Sequence, residues 1–144
     1  MDAEKFNAYV TDRYEAEIAW YDRRSRFNKR SYVVFQWGAI SLSATVPALT
    51  LAGMKALPAA LGVALAIVTA ALKTFKLQEN WINYRTIAET LKKEKHFYEA
   101  RIGDYRNSED PEGLFVDRVE SVISRENSLW ITAQEKKETE VKPK

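Results

Sequence analysis

The chain has 144 residues, of which 46% are hydrophobic and 29% charged, with a formal net charge of +2 and no cysteine. The lack of cysteine excludes disulfides and thiolate chemistry, and the small net charge argues against a nucleic-acid-binding surface. Residues 31–72 contain no Asp, Glu or Arg and a single lysine, Lys55. This segregation of charge, rather than the average composition, predicts an all-α membrane protein.

The first predicted element is an amphipathic cytoplasmic helix over residues 1–30. Apolar side chains recur there every three or four residues, so they share one helix face: Phe6, Val10, Tyr14, Ile18 and Tyr21. Nothing between Tyr21 and Val33 would stop a helix. We therefore expect this helix to run without a break into the next element.

Two apolar stretches follow and predict a transmembrane hairpin over residues 31–77. About 20 helical residues are needed to cross roughly 30 Å of hydrocarbon, and residues 32–52 satisfy this. The second stretch, 57–77, satisfies it when Lys73 and Lys76 extend their ammonium groups toward the headgroups. The hairpin would continue inward as long helices that form a cytoplasmic bundle.

The turn of the hairpin, 53–56, begins with Gly53 as the expected C-cap, and Pro58 stands at a helix start. Basic residues flank the two spans, whereas the turn carries one lysine; the flanking residues are Arg23, Arg24, Arg26, Lys29 and Arg30 before the first span and Lys73, Lys76 and Arg85 after the second. The positive-inside bias predicts that both termini are cytoplasmic and the turn is outside, in the inner (plasma) membrane of a cell.

The alternative is a soluble protein that buries the two apolar helices in its core. Both helices are apolar on every side, and the rest of the chain is too short to cover them. A signal peptide is disfavoured as well, because the first apolar stretch begins about thirty residues into the chain, behind a charged segment.

The region 78–133 is predicted to hold two more cytoplasmic helices. The first, 78–102, extends the second span and ends where Gly103 provides a C-cap. The second, 111–133, begins at Asp110-Pro111, an N-cap followed by a first-turn proline.

Each of these helices has one apolar face: Leu77, Trp81, Tyr84, Ala88, Leu91 and Tyr98 on the first, and Leu114 or Phe115, Val119, Val122 or Ile123, and Trp130 on the second. We interpret these stripes as the core of a small bundle rather than as a ligand site. The Lys- and Glu-rich tail, 134–144, has nothing to bury and is predicted to be disordered.

Motifs around the hairpin resemble a known family. They are, in chain order, Trp20-Tyr21-Asp22 ahead of Tyr32, Glu79-Asn80-Trp81 with Tyr84-Arg85 and Ala88-Glu89-Thr90-Leu91-Lys92-Lys93-Glu94, and Val119-Glu120 with Ile123-Ser124-Arg125-Glu126-Asn127 and Trp130. In the order of these motifs along the sequence, the chain resembles the SLATT family. That family is a two-transmembrane effector domain associated with SMODS and SLOG domains in bacterial conflict systems. The resemblance implies a pore-forming or membrane-perturbing effector that is held inactive until a nucleotide-sensing partner triggers it.

A two-span chain cannot enclose a conduit alone, so a pore requires a homo-oligomer. Gln36, Ser43 and Thr50 recur at intervals of seven on the first span, and Thr69 and Lys73 are four apart on the second. These five residues are the candidates for lining water, and a ring of Lys73 ammonium groups would favour anions. The alternative is that the hydroxyls bond to their own backbone and that Lys73 extends through lipid to the headgroups.

Small residues four apart permit close helix approach, either within one hairpin or between protomers. They are Ala44, Ala48 and Ala52 on the first span and Gly62, Ala66 and Ala70 on the second.

No catalytic site, cofactor or metal is predicted. His96 is the one histidine, and the five glycines form no phosphate-binding loop. Charged residues of the cytoplasmic helices are predicted to form a polar network that holds the bundle together, with gating as the alternative role; they are Glu79, Arg85, Glu89, Glu94, Glu120, Arg125 and Glu126.

The leading hypothesis is an oligomeric membrane effector that forms an ion-conducting pore, gated through its cytoplasmic helices. Its expected partners are the lipid bilayer, further copies of the chain, permeant ions and a nucleotide-sensing regulator, but not nucleic acid. The rival hypothesis is a non-conducting membrane scaffold or anchor that recruits a partner through the cytoplasmic bundle.

Overall fold

A computed structural model describes residues 2–125, and its regular elements are all helical. They are α1 (Ala3–Tyr9), a π turn (Val10–Tyr14), α2 (Glu15–Leu51), α3 (Ala56–Phe75), α4 (Leu77–Glu99), a 3₁₀ turn (Gly103–Arg106) and α5 over 111–125. The predicted end of the last helix, its residues Glu126 and Trp130, and the 134–144 tail lie outside the described residues.

The turn between α2 and α3 has the predicted cap. Gly53 takes a left-handed conformation with φ of 82°, and its N–H donates to the Thr50 carbonyl at 3.1 Å. The next N–H, of Met54, donates to the Leu49 carbonyl at 3.2 Å, which completes the Schellman pattern of paired bonds. Glycine is favoured here because it has no Cβ to clash at positive φ. Pro58 lies in the first turn of α3.

The N-terminal helix contains a five-residue π turn that the sequence pattern did not predict. Apolar residues four apart drift by about 40° per step around a regular α-helix. The wider π turn offsets part of that drift, so that Phe6, Tyr14 and Tyr21 are all buried. The apolar face predicted for this helix is confirmed, but its regular α geometry is not.

The end of α4 also differs from the prediction, because the helix ends at Glu99 rather than at 102. Arg101 takes the left-handed conformation with φ of 53°, and the Ile102 N–H donates to the Phe97 carbonyl. Gly103, the expected C-cap, instead opens the 3₁₀ turn with φ of 64°. At the start of α5 the predicted cap is present, since Asp110 Oδ1 accepts a hydrogen bond from the Gly113 N–H at 3.0 Å.

The chain forms two compact units. The hairpin unit is Asp22–Arg85 and contains α3 with most of α2. The terminal unit combines residues 1–21 with residues 86–144, of which 2–21 and 86–125 are described. Phe115 and Val119 of α5 are buried in the terminal unit with Leu91 of α4, which confirms the predicted apolar faces of both helices.

Candidate functional site

The apolar part of the hairpin unit is exposed on most of its surface. Two helical segments, Ala3–Leu51 and Ala56–Arg106, each contain an 18-residue stretch that is apolar enough to cross a membrane. In each stretch 6% is buried. Large apolar side chains are exposed along both: Val34 is 69% exposed, Trp37 64%, Val63 62% and Ile67 65%. A helix from the core of a soluble protein would have most of this surface covered.

One face of each apolar helix is less exposed than the rest. The side chains of this face are Ala39, Leu42, Val46 and Leu49 on α2, and Leu61, Leu65, Val68 and Leu72 on α3. Their spacing of three and four residues is that of a helix stripe. The inner face of the hairpin is therefore formed by Ala39 and by branched aliphatic side chains.

Five of the six small residues that were expected to permit close packing lie outside this inner face. Ala44, Ala48, Ala52, Ala66 and Ala70 are all exposed. Gly62 is half-buried, and a Cβ placed on it would meet no atom within 4 Å. Both alternatives for these residues, packing within one hairpin and packing between protomers, stay predictions.

Four of the five pore-lining candidates are exposed on the hairpin, namely Ser43, Thr50, Thr69 and Lys73, and Gln36 is half-buried. The Thr50 hydroxyl donates to the Val46 carbonyl at 2.9 Å. The Thr69 hydroxyl contacts the Leu65 and Ala66 carbonyls at 2.8 and 3.0 Å. Each hydroxyl therefore donates its hydrogen bond to a carbonyl of its own helix, as threonine commonly does in apolar surroundings. The hydroxyl oxygen remains exposed and can accept a hydrogen bond.

Helix geometry places the polar residues of both helices on the same side of the hairpin. At about 100° per residue, Ser43 lies about 60° beyond Val46 around α2. In the same sense of rotation, Thr69 lies about 40° and Lys73 about 80° beyond Leu65 around α3. The two helices of a hairpin are antiparallel, and their inner faces are turned toward each other. Rotating in the same sense from each inner face, counted along the chain, therefore leads to the same side of the hairpin. We call it the polar side of the hairpin.

At the charged end of the hairpin unit, Trp81 of α4 is the centre of the contacts with α2. Its ring stacks on Tyr32 with centroids 6.4 Å apart, and the Lys29 ammonium lies 5.4 Å from its centroid. Its backbone carbonyl accepts a hydrogen bond from the Ser25 hydroxyl at 3.4 Å. Ser25 and Asn28 are buried, and the Asn28 amide donates to the Arg24 carbonyl. Aromatic and cation–π contacts therefore hold the two helices together where the apolar stretches end.

The second apolar helix, α3, does not continue smoothly into α4, contrary to the prediction of one long helix. Lys76 separates α3 from α4 and has a left-handed conformation with φ of 48°. The Asn80 side-chain amide donates to the Phe75 carbonyl at 3.1 Å, which satisfies an acceptor released by the break. Lys76 also pairs with Glu79 at 3.2 Å. Glu79, a predicted network residue, thus acts locally at this junction.

Replacing Lys76 with glycine should stabilise the chain by up to about 1 kcal/mol, because glycine has no Cβ penalty in the left-handed region. Thermal unfolding of the purified protein measures the effect as a higher Tm. Lys93, inside α4, provides the control, since glycine there should destabilise by about 1 kcal/mol. A fall in Tm for both variants would contradict the left-handed junction.

The terminal unit has an aromatic core. Phe115 of α5 is 1% exposed, and its ring centroid lies 5.8 Å from Phe6, 5.2 Å from Tyr14 and 5.2 Å from Tyr98. The buried Tyr14 hydroxyl donates to the Leu91 carbonyl at 2.8 Å. These contacts join the N-terminal helix, α4 and α5, so the aromatic stripes act as core packing.

Glu120 of α5 is bound by two residues of the N-terminal helix. The Tyr9 hydroxyl donates to Glu120 Oε1 at 2.9 Å, and the Arg13 guanidinium donates to both carboxylate oxygens at 3.1 and 3.2 Å. Arg13 also donates to Glu17 at 3.0 Å. The Arg13 hydrogen bonds, with that of Tyr9, hold the pKa of Glu120 below its usual value. Burial and the bond to Glu120 raise the pKa of Tyr9.

A second polar cluster joins α5 to α4 and the 3₁₀ turn. Glu94 accepts hydrogen bonds from the Tyr105 hydroxyl at 2.5 Å and from Arg118 at 3.1 Å, and Arg118 also pairs with Asp104. Burial and the Glu94 carboxylate raise the pKa of Tyr105. The prediction named Glu94 and Glu120 but missed all of their partners.

The remaining network candidates have local roles or lie at the surface. Glu89 pairs with Lys92 one turn away at 3.7 Å, and Arg85 and Arg125 are exposed. The tyrosine and arginine partners of Glu120 had a partial signal in the sequence. Tyr9, Arg13 and Glu17 are four residues apart, which is the spacing of a polar helix face. No nearby residue in the sequence indicated that their partner would be Glu120 of α5.

Substituting Glu120 with glutamine should lower stability at pH 7 and have no effect in acid. Because folding lowers the pKa of this carboxyl, its contribution is present above the unfolded value near 4.5 and is lost as the pH falls through the folded value. The Tm difference between wild type and E120Q should therefore shrink as the pH is lowered from 7 to below about 4. A difference that stays constant over this range would show that charge pairing at Glu120 does not contribute.

Comparison with known proteins places these features in a family. Residues 16–113, about two thirds of the chain, match the family described as "Protein of unknown function (DUF4231)". The matched range begins in α2, contains both apolar helices and α4, and ends in the first turn of α5. No curated protein and no solved structure matches the chain. The chain, with its apolar helical hairpin and charged flanks, belongs to the DUF4231 family.

Proposed function

We propose that this protein is an integral membrane protein that assembles as a homo-oligomer and forms an ion-conducting pore, gated through its cytoplasmic helices. In this proposal α2 and α3 cross the inner (plasma) membrane as a hairpin. Both termini are cytoplasmic and the turn at Gly53 is outside. The nucleotide-sensing regulator implied by the SLATT resemblance is part of the same proposal.

The observation that carries the membrane assignment is the exposure of the apolar windows, of which 6% is buried. Burying one large aliphatic side chain contributes about 1.5–3 kcal/mol, so leaving this many of them in water would be strongly unfavourable. A lipid environment removes that cost. The orientation is supported by the charge distribution, because five basic residues lie within 23–30 and one lysine in the turn.

The pore assignment is supported by the distribution of residues around the hairpin. Its polar side has four exposed polar residues, Ser43, Thr50, Thr69 and Lys73. In an isolated hairpin these residues would be in contact with lipid. An oligomer that turns this side toward an axis gives these groups water. The exposed small residues, such as Ala44 and Ala66, are available for close contacts between protomers. The resemblance to SLATT effectors points to the same activity.

Electrical recording from purified protein in planar bilayers tests the proposal. We expect discrete unitary currents, and we expect Ser43→Leu to reduce their conductance, because it places an aliphatic side chain on the polar side. Val63→Leu is the matched control, since Val63 is an exposed apolar residue of α3 away from that side. Protein that enters bilayers but carries no current would contradict the pore and favour the scaffold.

A further inference from the structure

Three arginines share one exposed face of α2 at its charged end. Arg23, Arg26 and Arg30 are spaced by three and four residues, so they form a single stripe along the helix. All three are exposed, whereas Tyr21, Ser25 and Asn28, on the other side of the helix, are buried. This stripe therefore points away from the packed interior of the hairpin unit.

The same stripe changes from cationic to apolar within three residues. Continuing at helical spacing from Arg30, it contains Val33, which is 40% exposed, Trp37, which is 64% exposed, and Ile40, which is 48% exposed. One helix face thus carries guanidinium groups and then, in the next turns toward the C-terminal end of α2, exposed apolar side chains. We call these six residues the arginine stripe.

One acidic residue, Asp22, adjoins the stripe in the chain, next to Arg23, and the segment keeps a net positive charge. Between Asp22 and Glu79 there is no Asp or Glu, and Arg24 and Lys29 add two more positive charges to the same segment. A site with this charge attracts anions, and arginine is suited to phosphate because its planar guanidinium donates two parallel hydrogen bonds.

We propose that the arginine stripe binds an anionic phospholipid, with the phosphate on the guanidinium groups and an acyl chain along Val33, Trp37 and Ile40. The inference rests on the proposed membrane function, because α2 must cross the bilayer for the two halves of the stripe to meet headgroup and hydrocarbon. A soluble phosphate or nucleotide would occupy only the arginine half.

The test compares lipids bound to the purified full-length protein in vesicles that mix phosphatidylglycerol with phosphatidylcholine. Mass spectrometry of the lipids retained in small nanodiscs gives the preference for phosphatidylglycerol. We expect the wild type to prefer it, and Arg23→Gln/Arg26→Gln/Arg30→Gln to lose on the order of a hundredfold of that preference at low ionic strength. Raising the salt concentration should weaken the wild-type preference, since screening shortens the reach of exposed charges.

The control variant is Lys5→Gln/Arg106→Gln/Arg125→Gln, which removes the same charge from exposed positions of the terminal unit and should leave the preference unchanged. Lysine in place of the three arginines should retain part of it. The inference is overturned if the glutamine variant keeps the wild-type preference, if the control loses as much, or if inorganic phosphate or an RNA oligomer displaces the lipid.

Failure of this inference is distinguishable from failure of the proposed function. Wild-type protein is first floated with pure phosphatidylcholine vesicles after an alkaline wash, which removes proteins that do not span the bilayer. Absence from the floated fraction overturns the membrane assignment and, with it, the lipid site. Flotation without any preference for phosphatidylglycerol overturns only the lipid site.

Discussion

Replacing Phe115 with alanine should cost the terminal unit about 3–5 kcal/mol of stability, because the change removes a buried aromatic side chain and leaves a cavity. Phe115 is 1% exposed, and its ring contacts aromatic rings of the N-terminal helix and α4. Hydrogen–deuterium exchange of the full-length protein measures the loss, as faster exchange of amides in α1, α4 and α5. Exchange at amides 39–50 of α2, in the hairpin unit, provides an internal reference.

Two variants make the Phe115 result specific. Phe115→Leu keeps an apolar side chain of intermediate size and should cost less than the alanine change. Asp117→Ala alters an exposed residue of the same helix and should have an effect within about 0.5 kcal/mol. Unchanged exchange in α1 for the alanine variant would contradict the aromatic core that joins this helix to α5.

Replacing Lys73 with glutamate should reverse the ion preference of the proposed pore from anions to cations. Lys73 is exposed on the polar side of α3, near the charged end of the hairpin, and each subunit of an oligomer would place one such charge around the axis. The reversal potential measured across a bilayer with unequal salt concentrations should change sign. This is the largest functional effect expected from a single substitution.

Lys55→Glu is the matched charge reversal in the turn, outside the polar side, and should leave the sign of the reversal potential unchanged. If K73E conducts with the wild-type preference, Lys73 does not face the axis. Its ammonium group would then extend to the headgroups through lipid, the alternative considered for this residue.

The arginine stripe and the polar side lie on different faces of α2. At about 100° per residue, Arg30 and Trp37 are roughly 100° to 160° away from Gln36, Ser43 and Thr50 around the helix. In the proposed assembly one face of α2 is therefore in contact with lipid while another faces water. Bound anionic lipid would be at the outer surface of the oligomer and not in its pore.

Much of the hairpin unit was predictable because its signals are local. The length of the apolar stretches, Gly53 at the turn and Pro58 in the first turn of α3 all appear in the structure. Short-range physics is responsible: a glycine tolerates positive φ, and a proline in the first turn has no helix hydrogen bond to lose. The polar side was predictable only in part. The sequence shows the polar residues of each apolar helix, but it does not show which faces of the two helices pack against each other.

The break at Lys76 was not predictable for a related reason. Lysine is a good helix former, and nothing around it would stop a helix, so the local pattern favours one continuous element. The observed left-handed residue is supported by Asn80, whose amide binds the Phe75 carbonyl. A cost of about 1–2 kcal/mol for this conformation must be offset by contacts that the sequence pattern does not contain.

The amino-acid sequence by itself determined which segments are apolar, where they turn and which faces of the charged helices are buried. These properties depend on periodicity and on residues within one or two turns of each other. Only the tertiary structure decided that Glu120 pairs with Tyr9 and Arg13, more than a hundred positions away in the chain, and that Glu94 pairs with Arg118. Many carboxylates and cations were equally available as partners, and the packing of α5 selected among them.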